Sequence, residues 1–193
     1  MLQRLYARAL AIAAGPNALL ALLAVAFVES SVLPIPPDIL LIPMIIARPA
    51  QAFRLAALCT LASVAGGLVG YAIGYFLFDA IGRPILEYNH AMGGYEALKA
   101  GFAEWGVWII IVKGMTPIPY KLVTIASGVV QFPLLPFIGA SIVSRSLRFF
   151  LIALLLWWFG DAAREFIERR LMLATSLFAI LLVGGMVAIA IYK

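Results

Sequence analysis

Charged residues flank two short proline motifs in a chain that is otherwise strongly apolar. Glu29 and Asp38 lie on either side of a Pro-Ile-Pro-Pro run, and Lys113 and Lys121 lie on either side of a second Pro-Ile-Pro. Charges within apolar segments are costly in a bilayer, so they usually pair with one another or line a pathway. The first motif therefore predicts carboxylates that take up and release protons, and the second predicts cations that hold an anion.

A further basic pair follows the second motif. Arg145 and Arg148 are three residues apart, which places them on one face of a helix. Guanidinium groups offer forked donors that match phosphate or carboxylate geometry. Two acids and four bases in an apolar setting predict a net positive site that suits an anionic group such as a phosphate.

Composition determines where such a site can lie. Hydrophobic residues make up 65% of the 193 residues and charged residues 12%, whereas a soluble domain has about 45–50% apolar residues. A soluble fold would expose large apolar patches, so we expect an all-α integral membrane protein with a single domain over 1–193. The net charge of +5 is spread along the chain, which favours basic cytoplasmic loops over nucleic-acid binding.

Five apolar segments differ in how they can cross a bilayer. A spanning helix needs about 20 apolar residues, and segments 53–78, 133–160 and 171–192 meet this need. Segments 17–47 and 105–131 are broken by prolines, which a helix cannot run through. We predict two re-entrant hairpins with breaks at these residues: Pro34, Pro36, Pro37, Pro117 and Pro119.

The distribution of basic residues predicts the topology. An amphipathic segment 1–16 and a loop 161–170 would be cytoplasmic, and the net acidic loop 79–104 would lie outside, in agreement with the positive-inside rule. The two hairpins would then enter from opposite faces. Such an inverted repeat of broken helices that meet near the midplane is typical of transporters.

Small residues spaced by four mark one side of the first predicted span, at Gly66, Gly70 and Gly74. This spacing predicts close helix packing, either within the chain or between the subunits of a homo-oligomer. The chain has one cysteine and one histidine. We therefore expect no internal disulfide, no metal site and no cofactor.

At the motif residues the chain resembles the DedA family, also called the VTT or SNARE-associated Golgi protein family, and most closely its YqaA-like branch. The resemblance runs from about residue 25 to 159. The family's pattern of two acids around a proline pair corresponds here to Glu29, Pro34, Pro36 and Asp38. Its second motif, bases around a proline followed by a glycine, corresponds to Lys113, Pro117, Lys121 and Gly128. The branch's basic pair corresponds to Arg145 and Arg148.

The resemblance implies opposed re-entrant hairpins in a bacterial inner-membrane protein with a cytoplasmic N-terminus. It also implies translocation of an anionic lipid, such as a polyprenyl phosphate or a phospholipid, in some members with dependence on the proton motive force. Lys113, Lys121 and Arg145 would hold the phosphate with help from Arg148. The membrane lipid would be the substrate and protons the coupling ion.

Three alternatives remain at this point. The same charges suit a small-anion transporter, and a non-transporting scaffold for membrane homeostasis is also open. An enzyme acting on lipid phosphates has least support, because His90 stands alone and no serine lies in a Gly-x-Ser-x-Gly nucleophile elbow. We therefore expect no enzymatic activity.

Overall fold

A computed structural model describes residue 15 and residues 17–33, 35–116 and 119–160. Regular secondary structure in this part is entirely helical, which confirms the predicted all-α class. The helices are α1 (Ala18–Ser31), α2 (Asp38–Ala47), α3 (Ala52–Leu77), α4 (Arg83–Tyr88), α5 (Met92–Met115), α6 (Tyr120–Val129) and α7 (Leu134–Gly160). The predicted segments 161–170 and 171–192, and nearly all of 1–16, lie outside the described residues.

Within the described residues, two helices are long and apolar enough to cross a membrane. One runs without interruption over Pro49–Tyr88, 40 residues, and includes a 3-10 turn before α3 and a π-helical turn, Phe78–Gly82, after it. The other is α7, with 27 residues. The first contains the predicted span 53–78, and the second matches the predicted span 133–160 except at its first residue. The total number of spans and the re-entrant course of the other segments remain predictions.

Both proline motifs separate two helices. The chain leaves helical geometry after Ser31 and resumes it at Asp38, and it does so again between Met115 and Tyr120. We call α1 with α2 the first broken pair and α5 with α6 the second. At 14 and 10 residues, α1 and α6 are about 21 and 15 Å long, shorter than the roughly 30 Å hydrocarbon core.

Segment 79–104 differs from the predicted loop, because most of it is helical. Helix α5 begins at Met92 rather than near residue 105. Its first half carries Glu96, Lys99 and Glu104, which are good helix formers at helical spacing that a search for apolar runs excludes. The reversal between α4 and α5 lies at His90, whose φ of 52° is left-handed.

Helix α3 forms the centre of the packing, and both α1 and α6 lie against its glycine face. A Cβ atom on Gly66 would overlap the carbonyl of Phe27 in α1, and one on Gly74 would overlap the carbonyl of Ile125 in α6. At Gly70 a Cβ would meet Thr124 and the Ser30 carbonyl, 3.0 Å away. The glycine stripe therefore serves contact within the chain.

Two apolar clusters surround the broken pairs. One joins α1, α2 and the first half of α3 to Phe149, Ala153 and Leu156 of α7. The other joins α5 and α6 to Phe137 and Ala140 of α7. The arginine pair lies between these two groups of α7 residues, so the charged site occupies the junction of the two clusters.

Candidate functional site

Two ion pairs connect the first broken pair to α7. Arg145 Nη2 lies 3.3 Å from Glu29 Oε2, and Arg148 Nη2 lies 2.6 Å from Asp38 Oδ2. Glu29 is in the last turn of α1 and Asp38 in the first turn of α2, so the two acids stand at the two sides of the proline break. The three-residue spacing of the arginines lets one face of α7 reach both.

Arg145 is enclosed on all sides. Its side chain is 1% exposed, and its guanidinium carbon lies 4.5 Å from the ring centre of Tyr120 and 4.9 Å from that of Phe149. Its Nη1 donates to the Gly114 carbonyl at 3.3 Å. Two aromatic faces and an ion pair hold this cation in place, while its Nε has no partner among the described residues.

Arg148 occupies a more open position. Its side chain is 24% exposed and that of Asp38 21%, and its Nη1 donates to the Thr116 carbonyl over a long 3.5 Å. The second oxygen of Asp38, Oδ1, has no partner in the described part of the chain. This ion pair is short, yet it is the one that a ligand or water can reach.

The two lysines do not pair with the acids in the part of the chain that the structure describes. Lys121 Nζ donates to the Val32 carbonyl at 2.7 Å, and Lys113 is exposed. Among the described residues, the two motifs are joined through backbone: Lys121 of the second broken pair contacts the carbonyl of Val32, after the end of α1.

The cations satisfy the carbonyl groups that the proline breaks leave open. The last carbonyls of a helix have no partner within it, and cations are favourable there. Lys121 binds the carbonyl after the end of α1, and the two arginines bind Gly114 and Thr116 at the end of α5. Each arginine thus holds a carboxylate of the first broken pair and a carbonyl of the second.

Buried hydroxyl groups complete the site, and the sequence analysis missed them. Ser30 Oγ lies 3.1 Å from Glu29 Oε2 and 2.7 Å from Ser63 Oγ of α3. Thr124 Oγ1 donates to the Ser30 carbonyl at 3.2 Å, and the Tyr120 hydroxyl donates to Ser141 at 2.6 Å. The only signal in the sequence is a serine beside Glu29, since isolated serines in apolar helices usually bond their own backbone.

The described residues contain no group of three or more His, Cys, Asp or Glu side chains that could hold a metal ion. The acids are instead neutralised by guanidinium groups. The arrangement thus brings carboxylates, which accept hydrogen bonds, together with guanidinium groups, whose forked donors match carboxylate and phosphate geometry.

These features define a helical membrane protein with an ion-paired core between two broken helix pairs. A sequence model described as the VTT domain matches residues 35–158. The chain belongs to the VTT domain family, also called the DedA family. The match includes Asp38, both lysines and both arginines, and Glu29 precedes it.

Relatives outside this chain support the assignment. An uncharacterized protein of Haemophilus influenzae is 40% identical over 137 residues, which is 71% of this chain and 71% of that protein. An uncharacterized protein of Histophilus somni is 40% identical over 136 residues, 70% of this chain and 71% of its own. No solved structure matches.

Proposed function

We propose that this protein is a proton-linked transporter of an anionic lipid, a polyprenyl phosphate or a phospholipid, in the bacterial inner membrane. In this proposal the N-terminus is cytoplasmic and the broken pairs are re-entrant hairpins that enter from opposite faces. The observation that carries the proposal is the double role of the arginines, each of which holds a carboxylate of one broken pair and a carbonyl of the other.

The proposed cycle begins at the more open ion pair. Protonation of Asp38 removes the charge that holds Arg148, and the guanidinium then becomes free to bind the phosphate of an incoming lipid. The partial exposure of both side chains supports this order. Lys113, exposed near the end of α5, provides a first contact for the headgroup.

The enclosed ion pair acts second in the proposed cycle. Protonation of Glu29 weakens the hold of Arg145 on α1, so that the two broken pairs separate at the α7 surface. Lys121 leaves the Val32 carbonyl and joins the phosphate as the ends of α1 and α6 move apart. Loss of both protons to the opposite side restores the ion pairs and expels the anion.

A small oxyanion is the second candidate substrate. Arg145 is 1% exposed, so fewer of its surroundings would have to move to admit a phosphate-sized anion than to admit a headgroup with acyl or prenyl chains. Both substrates share the phosphate chemistry, and a transport assay with each distinguishes them.

Transport in liposomes tests the proposal. We expect a labelled polyprenyl phosphate to cross faster with an inward proton gradient. Asp38→Asn and Glu29→Gln should each slow this transport roughly tenfold or more, because the neutral side chain cannot lose a proton to restore the ion pair that expels the anion, and a charge-assisted hydrogen bond is worth about 1.5–3 kcal/mol. The assay measures the initial rate with purified protein, with and without the gradient.

Asp79→Asn is the matched control, since Asp79 forms an exposed ion pair with Arg83 away from the site and its loss should leave the rate unchanged. Equal rates in wild type and both site variants would contradict the proposal. Movement of inorganic phosphate but not of lipid would assign the small-anion function instead.

A further inference from the structure

Four polar side chains form a row across three helices at the enclosed ion pair. Ser63 of α3 contacts Ser30 of α1 at 2.7 Å, Ser30 contacts Glu29 Oε2 at 3.1 Å, and the same carboxylate oxygen lies 3.3 Å from Arg145 of α7. Ser63 and Ser30 are both 0% exposed. The row is therefore shielded from water, and each group depends on its neighbours for hydrogen bonds.

Ser30 has one hydroxyl proton and three possible acceptors. Its Oγ lies 3.0 Å from the Ala26 carbonyl, 3.1 Å from Glu29 and 2.7 Å from Ser63. A hydroxyl donates one hydrogen bond and accepts two. When Ser30 donates to the Glu29 carboxylate, Ser63 can donate to Ser30. When Glu29 is protonated, Ser30 can turn its proton to the Ala26 carbonyl, the usual bond of a serine within a helix.

Ser63 has no other hydrogen-bond partner among the described residues. Its proton is thus available to Ser30, and a donated bond strengthens the next bond in the chain. A bond from Ser63 to Ser30 thus supports the bond from Ser30 to the Glu29 carboxylate.

Other charged and titratable groups also face Glu29, and they set the background for this effect. Arg145 and Arg148 approach from α7, Asp38 from α2, Tyr120 from α6 and the Cys59 thiol from α3. Removing a single serine hydroxyl leaves these groups in place, so the contribution of the serine row to the proton affinity of Glu29 can be measured separately.

We propose that Ser63, acting through Ser30, is a positioning residue that sets the pH at which Glu29 accepts the coupling proton. This inference rests on the proposed function for its role in transport, but the proton affinity of Glu29 can be measured without transport. The geometry assigns the two serines as the protein's means of keeping Glu29 ionised until the proton supply is sufficient.

Infrared titration of the purified protein tests the inference directly. The carbonyl stretch of protonated Glu29 is identified by its absence in Glu29→Gln. We expect its midpoint to rise by about one pH unit in Ser30→Ala, which removes a hydrogen bond to a charged group, and by roughly half a unit in Ser63→Ala, which removes only the supporting bond. Ser63→Thr keeps the hydroxyl and should restore the wild-type midpoint.

Ser127→Ala is the matched control, because Ser127 is also 0% exposed but donates only to the Val123 carbonyl of its own helix. Its midpoint should equal that of wild type. Helix content and elution volume show whether each variant is folded. If Ser63→Ala does not fold, Ser63→Cys, whose thiol is a weaker hydrogen-bond donor, replaces it in the titration.

Equal midpoints in wild type, Ser30→Ala and the Ser63 variants would overturn the inference, whatever the transport assay shows. A shifted midpoint without proton-linked transport in the wild type would overturn the proposed function and support the tuning of Glu29. A shifted midpoint with a matching shift in the pH profile of transport would support both.

Discussion

Replacement of Arg145 by methionine is expected to lower the free energy of unfolding by about 3–5 kcal/mol, because it leaves Glu29 buried without its counter-charge. The substitution also removes the cation–π contacts with Tyr120 and Phe149 and the hydrogen bond to the Gly114 carbonyl. Unfolding by denaturant in bicelles measures the change.

A double-mutant cycle separates the lost ion pair from the lost packing. Glu29→Gln combined with Arg145→Met removes both charges, and we expect it to recover a large part of the stability that Arg145→Met alone loses. Asp79→Asn is the control. The side chain of Asp79 is 61% exposed and that of its partner Arg83 is 47% exposed, so the free energy of unfolding should change by no more than about 1 kcal/mol. Strict additivity of the two site substitutions would show that the buried pair contributes no coupling.

Substitution of Gly66 by valine is expected to prevent α1 from packing on α3. The obstacle is the backbone carbonyl of Phe27, which cannot rotate away as a flexible side chain can. Overpacking costs typically about 1–3 kcal/mol and more where the backbone must shift, so we expect little folded protein. Yield and the elution profile in detergent measure the effect.

Gly139→Ala in α7 provides the comparison, because a Cβ there meets nothing within 4 Å and alanine favours the helix by up to about 1 kcal/mol. We expect wild-type yield or slightly better. Normal folding of Gly66→Val would mean that α1 and α3 are further apart than the structure places them.

The positions of the helix breaks could be predicted from the sequence because they depend on local chemistry. Clustered prolines remove donors and clash with the preceding turns, whereas α2 continues through its single Pro43. Long apolar runs identify α3 and α7 in a similarly local way. The helical character of 79–104 could not be found like this, because a search for apolar spans passes over the charges of α5.

The partners of the acids could not be predicted from the sequence. Glu29 and Arg145 are 116 residues apart, and their meeting depends on how α7 lies against both broken pairs. The sequence left open whether the acids pair with the lysines of the second motif; in the described residues the acids pair with Arg145 and Arg148 instead, and Lys121 donates to the Val32 carbonyl. Ser63 gave no signal at all, since its role exists only beside Ser30.

The uninterrupted helix from Pro49 to Tyr88 has a mechanical consequence. Its 40 residues make a rod about 60 Å long, roughly twice the thickness of the hydrocarbon core. The glycine stripe lies on the part of this helix that packs against α1 and α6. The far end carries Tyr88, which is 86% exposed. About 27 Å of helix separates Gly70 from Tyr88, so a tilt of about 10° at the stripe displaces that end by about 5 Å. A small tilt of the helix at the stripe therefore produces a larger displacement at Tyr88. A spectroscopic label at Tyr88 would report small rearrangements of the ion-paired core as distances that can be measured outside the membrane.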